Sequence, residues 1–147
     1  MGHLLGIAIR HKKRGEMQEL TGAHVTVKTG VADDFRGKPG NRQVTVLSME
    51  DWQATCKEIN RTLPWPTRRA NLYIEGIDLY NTVGQHLHIG QLVLLITCET
   101  DPCKRMQEAH EGLFEALAKQ WRGGVCCRVI QAGEIATGDR VELINAL

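Results

Sequence analysis

Apolar positions along this chain come in short alternating runs separated by glycine turns. Leu4 to Arg10 opens it as a strand. His24-Val-Thr-Val-Lys28 and Arg42-Gln-Val-Thr-Val-Leu47 alternate with the period of two that puts one face of a strand on a core. Leu72-Tyr-Ile74 follows, then His86 to Gly90 running into Gln91 to Thr97, then Val125 to Ile130 and Arg140 to Ile144, for about seven short strands in all. Helical spacing appears twice. Met49 to Asn60 places Trp52, Cys56 and Ile59 on one side; Ser48 can cap it, with Asp51 in the place of the capping-box acid. Lys104 to Trp121 carries Met106, Leu113, Phe114, Leu117 and Trp121 at helical spacing and stops at Gly123-Gly124. Thr29 to Asn41 reads as a long loop, and Gly133 to Asp139 as a turn-rich link. Strand follows strand through glycine turns more often than through helices. This predicts a mixed, mostly β fold with a barrel or bent-sheet core and two or three flanking helices, not a doubly wound sheet.

At 147 residues the chain suits one domain, 1–147, long enough to bury a core without disulfides or metals. Hydrophobic residues at 42% and charged residues at 24% argue against disorder. With 18 basic and 17 acidic residues the net charge is +1, so no strong field steers it to nucleic acid or to an anionic membrane. Arg10-His-Lys-Lys-Arg14 could still bind a phosphate, but a solvated basic face is the better reading of it. The longest apolar run, Leu92 to Ile96, is far shorter than a membrane span. Five cysteines, an odd number that includes the adjacent Cys126 and Cys127, make a poor disulfide framework and predict free thiols in a reducing, cytoplasmic setting. Met1 to Ile9 lacks the basic start of a secretory leader, and Gly6 stands where a myristoylation motif needs Ser or Thr.

Two stretches carry candidate chemistry. Leu92 to Cys98 reads as a buried strand that turns through Glu99-Thr-Asp101-Pro102 into a helix. Asp101 can cap that helix and Pro102 suits its start, which puts Cys103 in the first turn. Partial positive charge there, with Lys104 and Arg105 next along, favours a thiolate able to act as nucleophile or soft-metal ligand; the other reading is a structural thiol in a turn. Arg68-Arg69 follows the stiff Leu63-Pro-Trp-Pro66 segment, and paired guanidiniums can grip a phosphate bidentately, with Asn71 adding an amide. The spacing of Cys98, Cys103, His86 and His88 is poor for structural zinc. Phosphate-loop, dinucleotide and serine-elbow motifs are absent.

Together these stretches resemble the MOSC domain, the family named for the C-terminal domain of molybdenum cofactor sulfurase. The matching pieces stand in the family's order: Gly6-Ile-Ala-Ile-Arg10, Gly30-Val-Ala-Asp-Asp34, Arg42-Gln-Val-Thr-Val-Leu47, Arg68-Arg69-Ala-Asn71-Leu72 with Gly76-Ile-Asp-Leu79, Leu87-His-Ile-Gly90, Pro102-Cys103, and a closing set from Gly124 to Val141. The resemblance is to the small stand-alone form. It implies a MOSC-like β-barrel core and binding of a molybdenum cofactor (molybdopterin), or handling of activated sulfur. Cys103 matches the family's cysteine, as thiolate ligand to molybdenum or as persulfide carrier. Arg68, Arg69 and Asn71, with Arg42 and Lys104, would hold the pterin or its phosphate. Two departures are visible. An alanine or a shifted register replaces a glycine in the Gly30–Asp34 loop, and Ala70 interrupts the usual Arg-Arg-Asn-Leu. The resemblance leaves open an enzyme that reduces N-hydroxylated compounds with electrons from a separate reductase. It equally leaves open a non-catalytic carrier of cofactor or sulfur, working with a sulfur donor or acceptor protein. Nucleic acid and membrane are not expected partners, and self-association is compatible with the sequence.

Overall fold

The computed structural model describes residues 1–145 of the chain. Eleven strands are present: β1 (Gly2–Ile9), β2 (Gln18–Leu20), β3 (Gly22–Thr26), β4 (Gly30–Val31), β5 (Val44–Ser48), β6 (Leu72–Glu75), β7 (His86–Ile89), β8 (Leu92–Glu99), β9 (Val125–Gln131), β10 (Gly133–Ala136) and β11 (Arg140–Ile144). Seven of them, in the order β11-β7-β8-β9-β5-β6-β1, close into a barrel because β1 pairs with β11 as well as with β6. The mostly β barrel expected from the turn pattern is therefore the observed fold. Closure leaves no open edge in the ring, and β2 hangs from β1 outside it.

Inward-facing residues follow strand alternation. Val44 and Val46 of β5, Leu92, Leu94 and Ile96 of β8, and Val125, Cys127 and Val129 of β9 fill the barrel. Alternation breaks at bulges, which bend the strands round the closed sheet. In β1 the register shifts between Leu4 and Gly6, so Leu4 is followed inward by Ile7 and Ile9. In β8 it shifts between Ile96 and Cys98.

The only parallel pairing in the described barrel is β5 with β6. Such a pair needs a crossover, supplied by α1 (Met49–Glu58) and a short 3₁₀ turn (Trp65–Arg68). Ser48 caps α1 as expected, its hydroxyl accepting from the Asp51 N–H at 3.0 Å. Trp52 and Cys56 of α1 pack with Leu47, Met106, Leu113 and Leu117 in a second core outside the barrel. Trp65 stacks on Tyr73, 4.9 Å between ring centroids, and its indole lies over Gly6, where a Cβ would sit 2.6 Å from the ring.

Three expectations need correction. The helix expected over Lys104–Trp121 is two short ones, α2 (Lys104–Ala109) and α3 (Leu113–Leu117). His110 is extended and Gly112 has φ 83°, so the chain turns there and both pieces lay their apolar residues on the second core. Gly133–Asp139 is not merely a link: Gly133–Ala136 pairs with β3, and buried Ile135 faces Ala23. The Thr29–Asn41 loop includes β4, which completes a small second sheet, β10-β3-β4. No helix among the described residues is long and apolar enough to cross a membrane.

Candidate functional site

A cleft of about 280 Å³ opens on the outer face of the barrel, over β5 and β9, between the end of β1 and α2. Thr45 of β5 and Cys126 of β9 are cross-strand partners on its floor, facing outward because their neighbours Val44, Val46, Val125 and Cys127 face in. Cys103, Arg105 and Met106 form one wall; Arg10, Lys13 and Arg14 form another. Asp34 and Arg36 come from the loop after β4, and Arg42 from just before β5. Arg68, Arg69 and Asn71 complete it from the 3₁₀ turn and the start of β6.

Charge is strongly segregated here. Eight cationic side chains line the cleft against two carboxylates, Asp34 and Asp101. Among the described residues, only Arg14 of the eight forms an ion pair, with Glu108 of α2 at 2.7 Å. A chain that is nearly neutral overall thus concentrates positive charge in one concavity, where low-dielectric walls strengthen its field.

Arg68 is the best-fixed cation. It is 6% exposed, and its guanidinium donates through Nε to the Gly123 carbonyl at 3.1 Å and through Nη2 to the Thr100 carbonyl at 3.0 Å. Gly123 is required for this approach, since a Cβ there would lie 2.3 Å from the Thr100 oxygen. Burial pushes the Arg68 pKa down, while the thiols of Cys103 and Cys126 push the other way. A buried guanidinium held by neutral carbonyls, with no carboxylate in ion-pair range, is costly unless an anion completes its shell.

Arg69 sits at φ 67°, a left-handed conformation uncommon outside glycine, and donates to the Gly15 carbonyl at 2.6 Å. Burial, and then the charges of Arg10, Arg105 and Arg14, push its pKa down to about 10. Arg10 is lowered in the same way, by burial first, and its Nε is buried without a hydrogen-bond partner. An oxyanion entering the cleft would stabilise the charged form of each of these groups. Asp34 partly offsets them, accepting from the backbone N–H of Arg10 at 3.1 Å and so fixing the loop to the end of β1. Preceding it, Asp33 has φ 69°. It is thus Asp33, not an alanine, that takes the backbone turn ahead of Asp34, and aspartate tolerates that region better than most side chains.

The other residues singled out in the sequence divide. Asn71 lies on the wall, but its amide also ties three strands. Oδ1 accepts from the Thr45 N–H at 3.0 Å and Thr45 Oγ1 at 3.3 Å, and Nδ2 donates to the Ala8 carbonyl at 3.2 Å. Arg42 lines the cleft. Lys104 is exposed on α2 outside it, and Arg105 is the α2 cation that faces in. Cys103 is exposed on the wall. It is not in the first turn of α2 but is the extended residue before it (φ −128°, ψ 178°), so it, and not Asp101, holds the capping position. Its carbonyl accepts the first helical bond, from Met106 at 2.9 Å, while its thiol makes no capping bond. Because α2 has six residues and not eighteen, the positive field at the thiol comes from arginines more than from a helix dipole.

Of the wall residues, Arg36 carries no signal in the sequence, and Arg10, Lys13 and Arg14 stand in a basic cluster whose better reading from sequence is a solvated face. Nothing in periodicity says that the loop after β1 folds over the end of β5.

The cleft meets two requirements of a phosphate-bearing, soft-metal cofactor: guanidiniums with no carboxylate paired to them, those of Arg10, Arg68 and Arg69 among them, for the anion, and an exposed thiol for the metal. Comparisons with known proteins agree on the architecture. YuaD from Bacillus subtilis superposes with a TM-score of 0.82 at 20% identity, covering 100% of this chain and 98% of that one. YiiM from Geobacillus stearothermophilus gives 0.79 at 15% identity over 99% and 76% of the two chains. YiiM from Escherichia coli gives 0.75 at 14% identity over 99% and 71%. These identities bear on the fold alone. No curated protein matches the chain. The MOSC domain family model matches residues 11–142, nearly the whole chain, and that family is associated with molybdenum cofactor binding. With its closed seven-strand barrel, its three short helices and this match, the chain belongs to the MOSC domain family.

Proposed function

We propose that the cleft binds molybdopterin with its molybdenum, that the Cys103 thiolate is the protein's ligand to the metal, and that the loaded protein reduces N-hydroxylated compounds. The observation that carries this reading is the pairing, in one cavity, of the buried Arg68 guanidinium lacking a counter-ion with the exposed Cys103 thiol. Arg68, Arg69, Arg10 and Arg42 hold the phosphate and the pterin's polar edge, and Arg105 lines the same wall as the thiol. Thr100, which also lines the cleft, offers a hydroxyl to the ring. When bound, the metal supplies two-electron oxygen-atom chemistry, with electrons from a separate reductase. The chain's own part is to fix the thiolate, to neutralise the cofactor's negative charge and to exclude water from the floor.

A second reading is favoured by the exposure of Cys103. The domain would then deliver the cofactor, or carry sulfur as a Cys103 persulfide between a donor and an acceptor protein.

Elemental and pterin analysis of protein produced with molybdenum supply tests the common core. Molybdenum and pterin are expected near one per chain, and Cys103→Ser is expected to lose the metal while keeping its fold. Protein free of both molybdenum and pterin overturns the cofactor readings. Loaded protein without N-hydroxy reductase activity, given a reductase, points to delivery. A gain of one sulfur atom from a persulfide donor, absent in Cys103→Ser, points to sulfur carriage.

A further inference from the structure

On the cleft floor and beside it stand two more thiols, Cys126 and Cys98, that neither proposed reading uses. β8 and β9 are antiparallel, and Cys98 stands directly opposite Cys126. Strict alternation would send Cys98 into the barrel after Leu92, Leu94 and Ile96. The register shift after Ile96 turns it outward, to the face that Cys126 already occupies. Thr97, the residue at the shift, anchors it, its hydroxyl donating to the Cys126 carbonyl at 3.1 Å. The same Thr97 Oγ1 lies 3.8 Å from the Cys98 sulfur, so one hydroxyl touches both halves of the pair. Opposed antiparallel residues have Cα atoms about 4.5–5.5 Å apart, inside the roughly 4.4–6.8 Å that a disulfide spans. Cys98 is half-buried and can be reached from solvent; Cys126 is buried on the cleft side, with Thr100 Oγ1 at 3.2 Å from its sulfur.

We propose that Cys98 and Cys126 are a redox-active thiol pair that closes a cross-strand disulfide when the protein meets a small oxidised disulfide such as oxidised glutathione. The Cys98 thiolate attacks one sulfur of the small disulfide, forming a mixed disulfide and releasing one small thiolate. Cys126 then gives up its proton to that thiolate and attacks the Cys98 sulfur, releasing the second small thiolate, which takes up the proton that Cys98 gave to solvent. The pair loses two electrons and two protons, and one small disulfide becomes two thiols. Burial raises the Cys126 pKa, so this second step quickens as pH rises. Closure takes the Cys126 thiol off the cleft floor and breaks its bond to the Thr100 hydroxyl, in the residue whose carbonyl holds Arg68. Cys103 is then the remaining thiol on the cleft wall.

Incubating the reduced full chain across a range of glutathione redox buffers, quenching with an alkylating reagent, and mapping intact mass and peptides tests this. The expected product has lost two hydrogens and yields a cross-linked peptide pair containing Cys98 and Cys126. That product persists in Cys103→Ser and is absent in Cys98→Ser. The peptide map of the unaltered chain decides the matter even if Cys98→Ser fails to fold. A cross-link that joins Cys103 to either residue, or full alkylation of both Cys98 and Cys126 in the most oxidising buffer, overturns the proposal.

Discussion

Arg68 Nη2 lies 3.0 Å from the carbonyl oxygen of Thr100, and this bond, with its companion to Gly123, holds a positive charge at the cleft with no carboxylate paired to it. Arg68→Met keeps most of the buried volume and removes the charge. The two carbonyls lose their donor, at about 1–3 kcal/mol for each group left unsatisfied, and relief from burying a lone cation offsets part of that. A net loss of roughly 1–3 kcal/mol in urea denaturation is expected, together with loss of anion binding in the cleft.

Because Arg10, Arg68 and Arg69 are all depressed by burial first and by neighbouring arginines after it, oxyanions should stabilise the folded protein. Molybdate or phosphate should raise the melting temperature above that in chloride at equal ionic strength, by mass action on the native state. A ligand at about one hundred times its Kd contributes roughly 2.7 kcal/mol. Arg10→Met should diminish the shift, since it removes the unpartnered Nε. Equal melting temperatures in the three salts would count against an anion site.

Asn71→Ala probes a structural tie. The change strips partners from the Thr45 N–H and the Ala8 carbonyl at the junction of β5, β6 and β1. A destabilisation of about 2–4 kcal/mol is expected in denaturant melts. Asn71→Asp keeps the acceptor but loses the donation to Ala8, and should fall between the two.

Acid sensitivity has a definite source away from the cleft. Hydrogen bonds from Lys119 at 2.6 Å and Arg122 at 2.7 Å hold the Glu58 carboxyl below its usual value of 4.5. Around and below that pH the unfolded chain binds more protons on this group than the folded chain does. Its stabilisation is therefore fully present above the unfolded pKa and is lost as pH falls through the lowered folded value. Urea midpoints measured from about pH 6 down to 3 should fall less steeply in Glu58→Gln than in the unaltered chain.

Much of the fold was legible in the residues. Alternation located β3 and β5 because a residue on a half-buried strand must match its face, and short apolar runs bounded by turns located β1, β8, β9 and β11. Ser48 announced α1 through its capping hydroxyl. Pro102-Cys103 and Arg68-Arg69 marked two walls of the cleft. Where short-range pattern and long-range contact diverge, the reading broke down. Helical spacing from Lys104 to Trp121 did not reveal the turn at Gly112, which lets α2 and α3 both reach the second core. Gln18–Leu20, Gly30–Val31 and Gly133–Ala136 are strands because partners arrive to pair with them, and their own sequences do not require it.

Taken alone, the chain determines a glycine-punctuated, mostly β fold and supplies a thiol and a guanidinium pair, since periodicity and residue chemistry are local properties. Tertiary structure decided the rest. It gathered basic residues from Arg10 to Arg105 around one cavity, buried Arg68 against two carbonyls, and turned Cys98 outward to face Cys126. Barrel closure brings residues far apart in sequence within a few ångströms, and no local pattern records which ones meet. The first-turn cysteine read from the sequence became the exposed residue ahead of a six-residue helix, and the charge around it comes from those gathered arginines.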